Sequence, residues 1–130
     1  MSNPAHPEFD DADIGAAFAA MDEAGLDALN FGVIGFDADT IVRLYNTYES
    51  RCAGLSRERV VGHALFTMVA PCMNNFMVAQ RFDDAKNEGT ALDETLDYVL
   101  TLRMRPVKVR LRLLAMPNAG MQYVLVHRNS

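Results

Sequence analysis

Between Leu96 and Leu113 the chain alternates apolar and polar residues almost without interruption, and this constrains the fold more than any other feature. Leu96, Tyr98, Leu100, Leu102 and Met104 fall on one side of a strand. Pro106 marks a turn, and Val107, Val109, Leu111 and Leu113 then alternate with Lys108, Arg110 and Arg112. Period two is the signature of a pleated strand with one buried face. Pro117 to Gly120 supplies a second turn, and Gln122 to His127 a third strand. Upstream, Phe31–Phe36 and Ile41–Tyr45 flank the turn residues Asp37-Ala-Asp39 and predict a hairpin.

The segment between these two strand groups is helical. A short helix over Asn46–Ala53 stops at Gly54, and another begins at Ser56-Arg57 and stops at Gly62. A turn covers Leu65–Val69 and is broken by Pro71. An amphipathic helix over about Asn74–Asn87 then ends at Gly89. The order predicts an α+β fold with a central five-stranded antiparallel sheet and helices mainly on one face. Ahead of it, residues 1–10 read as a flexible arm. Ile14, Phe18 and Met21 mark a helix that Asp11 or Asp13 can cap, and Leu26 and Leu29 mark a second turn. The domain division is therefore an arm and helical cap over 1–30 and a core over 31–130.

With 130 residues, half of them hydrophobic, the chain can build one compact core without disulfides. Its apolar runs stop well short of the roughly 20 residues of a membrane span, and no secretory leader opens it. A cytoplasmic domain is expected, with no membrane role. The net charge of −5 disfavours nucleic acid as a partner. Residues 1–30 carry acids and no Lys or Arg, whereas residues 103–130 carry six basic residues and no acid. This asymmetry predicts solvated faces, or an acidic cap lying near a basic strand surface.

No dinucleotide, phosphate-loop, zinc-protease or calcium-loop signature is present, and His6, His63 and His127 are scattered, so neither a metal site nor a histidine-based enzyme site is expected. Cys72 follows Pro71 and precedes the helix predicted from Asn74. A thiol there is activated by the helix dipole, or is simply a small buried hydrophobe, which is the commoner arrangement. Tyr45 and Glu49 lie four apart across a strand-to-helix junction. They form a phenol and carboxyl pair aimed into one apolar pocket, or ordinary strand-end packing beside a solvated acid.

Val69-Ala-Pro-Cys72, with Tyr45-Asn-Thr-Tyr-Glu49 upstream, is similar to the chromophore-site motifs of the photoactive yellow protein (xanthopsin) family. Agreement extends through Phe31-Gly32, Gly54, Val60-Val-Gly62, Phe66, Gly89, Asp97-Tyr98, Met104, Pro106 and Val126, nearly the whole chain apart from the arm. The resemblance implies a PAS fold and a non-enzymatic blue-light photoreceptor. It implies p-coumaric (4-hydroxycinnamic) acid held as a thioester on Cys72, with Tyr45 and protonated Glu49 hydrogen-bonding the phenolate oxygen. The implied pocket walls are Ile34, Leu65, Phe66, Val69, Ala70, Leu100, Leu102 and Val126, with Leu55 as lid and Met104 assisting thermal return. Isomerisation in light, a proton passed from Glu49 to the phenolate and a loosened cap complete the implied cycle.

The family's threonine beside the tyrosine falls at Ala53, its covering arginine at Leu55, and its last-strand tryptophan at Tyr123. These departures imply a less firmly held phenolate and an altered recovery. A PAS interaction or ligand-binding module without chromophore is the second class, and a cysteine-nucleophile enzyme a poorly supported third. No downstream partner is named by the sequence, and a monomer or weak dimer is expected.

Overall fold

The computed structural model describes residues 8–12, 14–101, 106–116 and 120–128. Helices α1 (Ile14–Ala20) and α2 (Glu23–Asp27) precede strands β1 (Gly32–Phe36) and β2 (Val42–Tyr45). Helices α3 (Thr47–Ala53) and α4 (Arg57–Val60), a π-helical turn (Leu65–Val69) and a 3-10 turn (Pro71–Met73) lead to α5 (Ala79–Glu88). Strands β3 (Leu92–Leu100), β4 (Val107–Ala115) and β5 (Gln122–Arg128) close the chain.

The five strands form one sheet in the order β2-β1-β5-β4-β3, and every neighbouring pair is antiparallel. This is the sheet that the alternation predicts. The first hairpin turns on Asp37, whose Oδ1 accepts the backbone N–H groups of Asp39 and Ile41 at 2.9 and 3.1 Å. Thr40 adopts a φ of +62° to complete the reversal.

Strand alternation creates two cores. Ile34, Phe36, Leu111, Leu113, Val124 and Val126 point to one face, where they meet Leu65, Phe66, Met73, Val78 and Phe82 from the helical block. Val33, Leu114 and Leu125 point to the other face and are covered by Phe9, Ile14, Phe18, Leu26 and Leu29 of the N-terminal segment. Every residue of β1 is buried, because both of its faces are occupied. Its unbroken apolar character in the sequence has that cause.

Three elements differ from the sequence expectation. Strand β3 starts at Leu92, ahead of the clear alternation. Its core-face position Glu94 is an acid because it meets Arg81 of α5 rather than the interior. Helix α5 starts at Ala79 rather than near Asn74. Asn75 diverts the chain there, its Oδ1 accepting the N–H groups of Met77 and Val78 at 3.0 and 3.2 Å. Asp11 does not cap α1; its carboxylate accepts the N–H of Glu8 in the turn before the helix. The other suggested cap, Asp13, lies outside the described residues, as do residues 1–7 of the arm, Leu102 and Met104.

The cap is tied down by one cation. Arg112 sits on the β4 face that Leu114 shares and is only 5% exposed. Its Nη1 donates to the carbonyls of Phe9 and Asp11 at 2.8 and 2.7 Å, and Nε and Nη2 grip both oxygens of Asp93 at 2.8 and 2.9 Å. The Arg110 guanidinium lies 5.7 Å from the centre of the Phe9 ring and 3.9 Å from Asp10. The acidic cap therefore does lie against the basic strand, although its strongest anchors are backbone carbonyls rather than carboxylates.

Candidate functional site

The site is built where β2 runs into α3. Asn46 makes that junction: it is 1% exposed and uses all its amide capacity. Its Oδ1 accepts from Val33 N (2.9 Å) and from Glu49 N (3.2 Å), capping α3. Its Nδ2 donates to the carbonyls of Leu26 and Phe31, both at 3.0 Å. One side chain thus fixes the start of α3 to β1 and to the end of the cap. The position is legible as a helix cap, but these long-range bonds leave no mark in local sequence.

Tyr45 ends β2 opposite Ile34 and is buried in the main core. Its carbonyl accepts Arg57 Nε at 2.9 Å. Arg57 also bonds Glu23 and reaches Asp27 at 2.7 Å, linking α2 to α4. Burial raises the Tyr45 phenol pKa, and the nearby Glu49 charge adds to the effect. The hydroxyl therefore stays protonated and remains a donor.

Glu49, in the first turn of α3, is 1% exposed. Its carboxyl occupies space over β1 that only Gly32 leaves free. A Cβ on Gly32 would come within 2.1 Å of Oε1. Both carboxyl oxygens are bound by Arg128, Nη1 to Oε1 at 2.6 Å and Nη2 to Oε2 at 2.9 Å. Burial pushes the Glu49 carboxyl pKa upward, and the Arg128 guanidinium opposes this without cancelling it. The solvated-acid alternative for Glu49 does not hold. The sequence gives no hint of Arg128, because its place depends on pairing between Val109 and Arg128 at the end of β5.

Cys72 lies in the 3-10 turn, partly buried and packed against the same core. It is not at the N-terminus of the long helix, because α5 begins seven residues later. Its position is set instead by its carbonyl, which accepts from the Tyr98 hydroxyl and from Asn75 Nδ2 at 3.2 Å. Asn75 Nδ2 also donates to the Tyr98 oxygen at 2.6 Å. Asn75 and Tyr98 are thus supports of the site that residue-by-residue reading does not reveal. The only signal is an asparagine three places after the cysteine, the offset of a side-chain turn.

Ile34, Leu65, Phe66, Val69, Ala70, Leu100 and Val126 all belong to the core cluster that contains Tyr45, and Leu55 packs half-buried against it. Ala53 is fully buried in α3. By contrast, Cys52, on the same helix, is exposed. His63 is exposed, and His127 lies against Phe9 with ring centres 5.2 Å apart and planes tilted by 40°, beside the cap core rather than near Cys72. The described residues thus place a thiol and a buried phenol in one hydrophobic cluster, and a buried carboxyl in the first turn of the helix that follows the phenol. They bring no histidine to that cluster.

No family model matches the chain. A curated relative from Rhodothalassium salexigens, described as photoactive yellow protein, is 30% identical over 121 residues, covering 93% of this chain and 96% of its own. Among solved structures, the photoactive yellow protein domain from the sensor histidine kinase Ppr of Rhodospirillum centenum aligns with a TM-score of 0.80 and 34% identity. It covers 87% of this chain and 98% of that one. The PAS domain of the Cronobacter turicensis RpfR quorum-sensing receptor, solved with BDSF, aligns with a TM-score of 0.60 over 78% of this chain and 95% of its own. At 13% identity it shows the fold alone.

Proposed function

The chain belongs to the photoactive yellow protein family, and from that premise we propose that it is a blue-light receptor that carries p-coumaric acid as a thioester on Cys72. The observation that supports this reading is that Cys72 and Tyr45 share one hydrophobic cluster and that Glu49, four residues after Tyr45, is a buried acid. The domain is a PAS sensory module and not an enzyme.

The donor set fits such a group. A phenol ordinarily titrates near 10, and an apolar cavity raises that value, so a buried phenolate needs short bonds from neutral donors. Tyr45 Oη is such a donor because its own pKa is raised. Glu49 becomes one when protonated; burial pushes its pKa upward against the opposing Arg128 guanidinium. Cys72 Sγ supplies the nucleophile for an activated acyl group, losing its proton as the acyl carrier leaves. When bound, the chromophore supplies visible absorption and a double bond that isomerises in light. Glu49 Oε then gives its proton to the displaced phenolate oxygen and keeps the electron pair as a carboxylate. A charge released inside the core costs several kcal/mol, comparable to the stability of a small domain. The cap, which packs as a separate cluster held by Arg112, is the part that loosens.

The receptor is read as cytoplasmic and as a monomer or weak dimer, with a downstream signalling partner that is neither nucleic acid nor membrane; no helix among the described residues is long and apolar enough to cross a bilayer. A second reading, a PAS binding module without chromophore, draws on one observation: both Glu49 oxygens are already bound by Arg128. Incubation of the purified chain with activated p-coumaric acid, followed by spectra before and after blue light, separates the two. The receptor gives a coloured adduct that bleaches and recovers and that Cys72→Ala abolishes. A chain that takes up no colour, or an adduct that does not bleach, rejects it.

A further inference from the structure

Arg128 closes β5, and its register opposite Val109 turns its side chain toward the helical face of the sheet. There it meets Glu49 fork to fork, with side chains 13% and 1% exposed. Such a geometry recognises a planar carboxylate and fixes its orientation. The other titratable groups around the pair are Tyr45 from β2 and Tyr48 and Cys52 from α3. Among the described residues, Arg128 is the one cation facing this carboxyl group.

A carboxyl group that donates to a phenolate oxygen must be protonated and must give up at least one bond to Arg128. A carboxylate that has just lost its proton needs a cation, since water is excluded from its site. The two partners therefore compete for one side chain. Resting on the light-receptor reading, we propose that Arg128 is a positioning residue that captures Glu49 as a carboxylate once its proton has moved, and so sets how long the proton-transferred state lasts. The Oε–H bond breaks, the proton passes to the phenolate oxygen, and the electron pair remains on Glu49. The reverse transfer restores both groups. The charge of the site is unchanged overall, but the negative charge moves from the chromophore end to the β5 end, where Arg128 lies.

Infrared spectroscopy of the full chain without chromophore tests the pairing directly. At neutral pH, Arg128→Gln is expected to show a buried protonated-carboxyl band much stronger than that of the unsubstituted chain, and Arg128→Gln/Glu49→Gln to lack it. Arg128→Lys, which keeps the charge but not the fork, falls between them and guards against a variant that fails to fold. In the chromophore-loaded protein, Arg128→Gln should recover at least about tenfold faster after blue light, the factor expected when a hydrogen bond between charged groups is lost. An unchanged carboxyl band in both Arg128 variants, or an unchanged recovery time in loaded Arg128→Gln, overturns the proposal. If the chain takes up no chromophore, the receptor reading falls and takes the lifetime with it, while the carboxyl band still decides whether Arg128 holds Glu49 ionised.

Discussion

Gly32 and Glu49 share one volume: the carboxyl of Glu49 lies where the side chain of any other residue at position 32 would begin, 2.1 Å from Oε1. Gly32→Ala is therefore expected to drive Glu49 off Arg128. A loss of about 1–3 kcal/mol in stability, typical of overpacking, should accompany it. Denaturant unfolding measures the loss. A variant as stable as the parent, with Glu49 still paired, would show that the space is not contested.

Asn46→Ala should cost more than an ordinary cap. It removes the cap of α3 and leaves the Val33 N–H and the Leu26 and Phe31 carbonyls without their partner. About 2–4 kcal/mol is expected, from a lost cap of ~1 kcal/mol plus buried groups at ~1–3 kcal/mol each, partly relieved by relaxation. Asn46→Asp retains the acceptor but not the donor, and should recover only part of the loss in the same unfolding experiment.

The raised pKa of Glu49 fixes the sign of its contribution with pH. Between the ordinary glutamate value and the raised folded value, the folded chain keeps a proton that the unfolded chain has released. Stability from this group therefore falls as pH rises through that window. Asp27 and Asp93 act oppositely: the pKa of each is depressed in the folded chain, Asp27 against its own burial by bonds from Arg57 and Thr47, Asp93 by its bonds from Arg112. Each contributes stability above its unfolded value that is lost as pH falls through its lower, folded value. Glu49→Gln should remove the decline on the higher side of the glutamate range and leave the acid limb in place. Stability measured across mildly acidic to neutral pH checks this, and an unchanged slope there counts against it.

Arg112→Met should release the cap without disturbing the main core, because the residue donates to Phe9 and Asp11 and faces away from Tyr45 and Glu49. Limited proteolysis ahead of Ile14 should quicken, and removal of residues 1–25 should weaken the salt dependence of stability. Equal cleavage rates in parent and variant would place the anchor elsewhere.

Ala53 occupies a buried place one helical turn beyond Glu49 and has no hydroxyl to donate. In the loaded protein, the phenol pKa of the chromophore should stand higher than where a threonine fills the position, with a blue-shifted neutral form visible on acidification. Ala53→Thr should lower that pKa. A single deprotonated band persisting to low pH in the parent chain would contradict the expectation.

The strands were legible because they alternate, but their burial was only partly so: Val107 is exposed, and from Leu111 to Ala115 both faces of β4 are buried, Arg112 included. Cys72, Tyr45 and Glu49 were legible as a motif, and the apolar walls as a pattern. Arg128 was not, since a lone arginine near the end of a strand looks like a solvated one until register sets it opposite Val109. The start of α5 was not legible because Asn74-Asn75 has the form of a helix entry, whereas Asn75 spends its side chain on a turn and on the carbonyl of Cys72.

Strand β5 ends with His127 against Phe9 on one side of the sheet and Arg128 against Glu49 on the other. The buried acid and the N-terminal cap are thus read out by adjacent residues, back to back. One peptide unit separates the residue that holds Glu49 from the residue that packs on Phe9. The distance a signal must cross here is the thickness of a single strand.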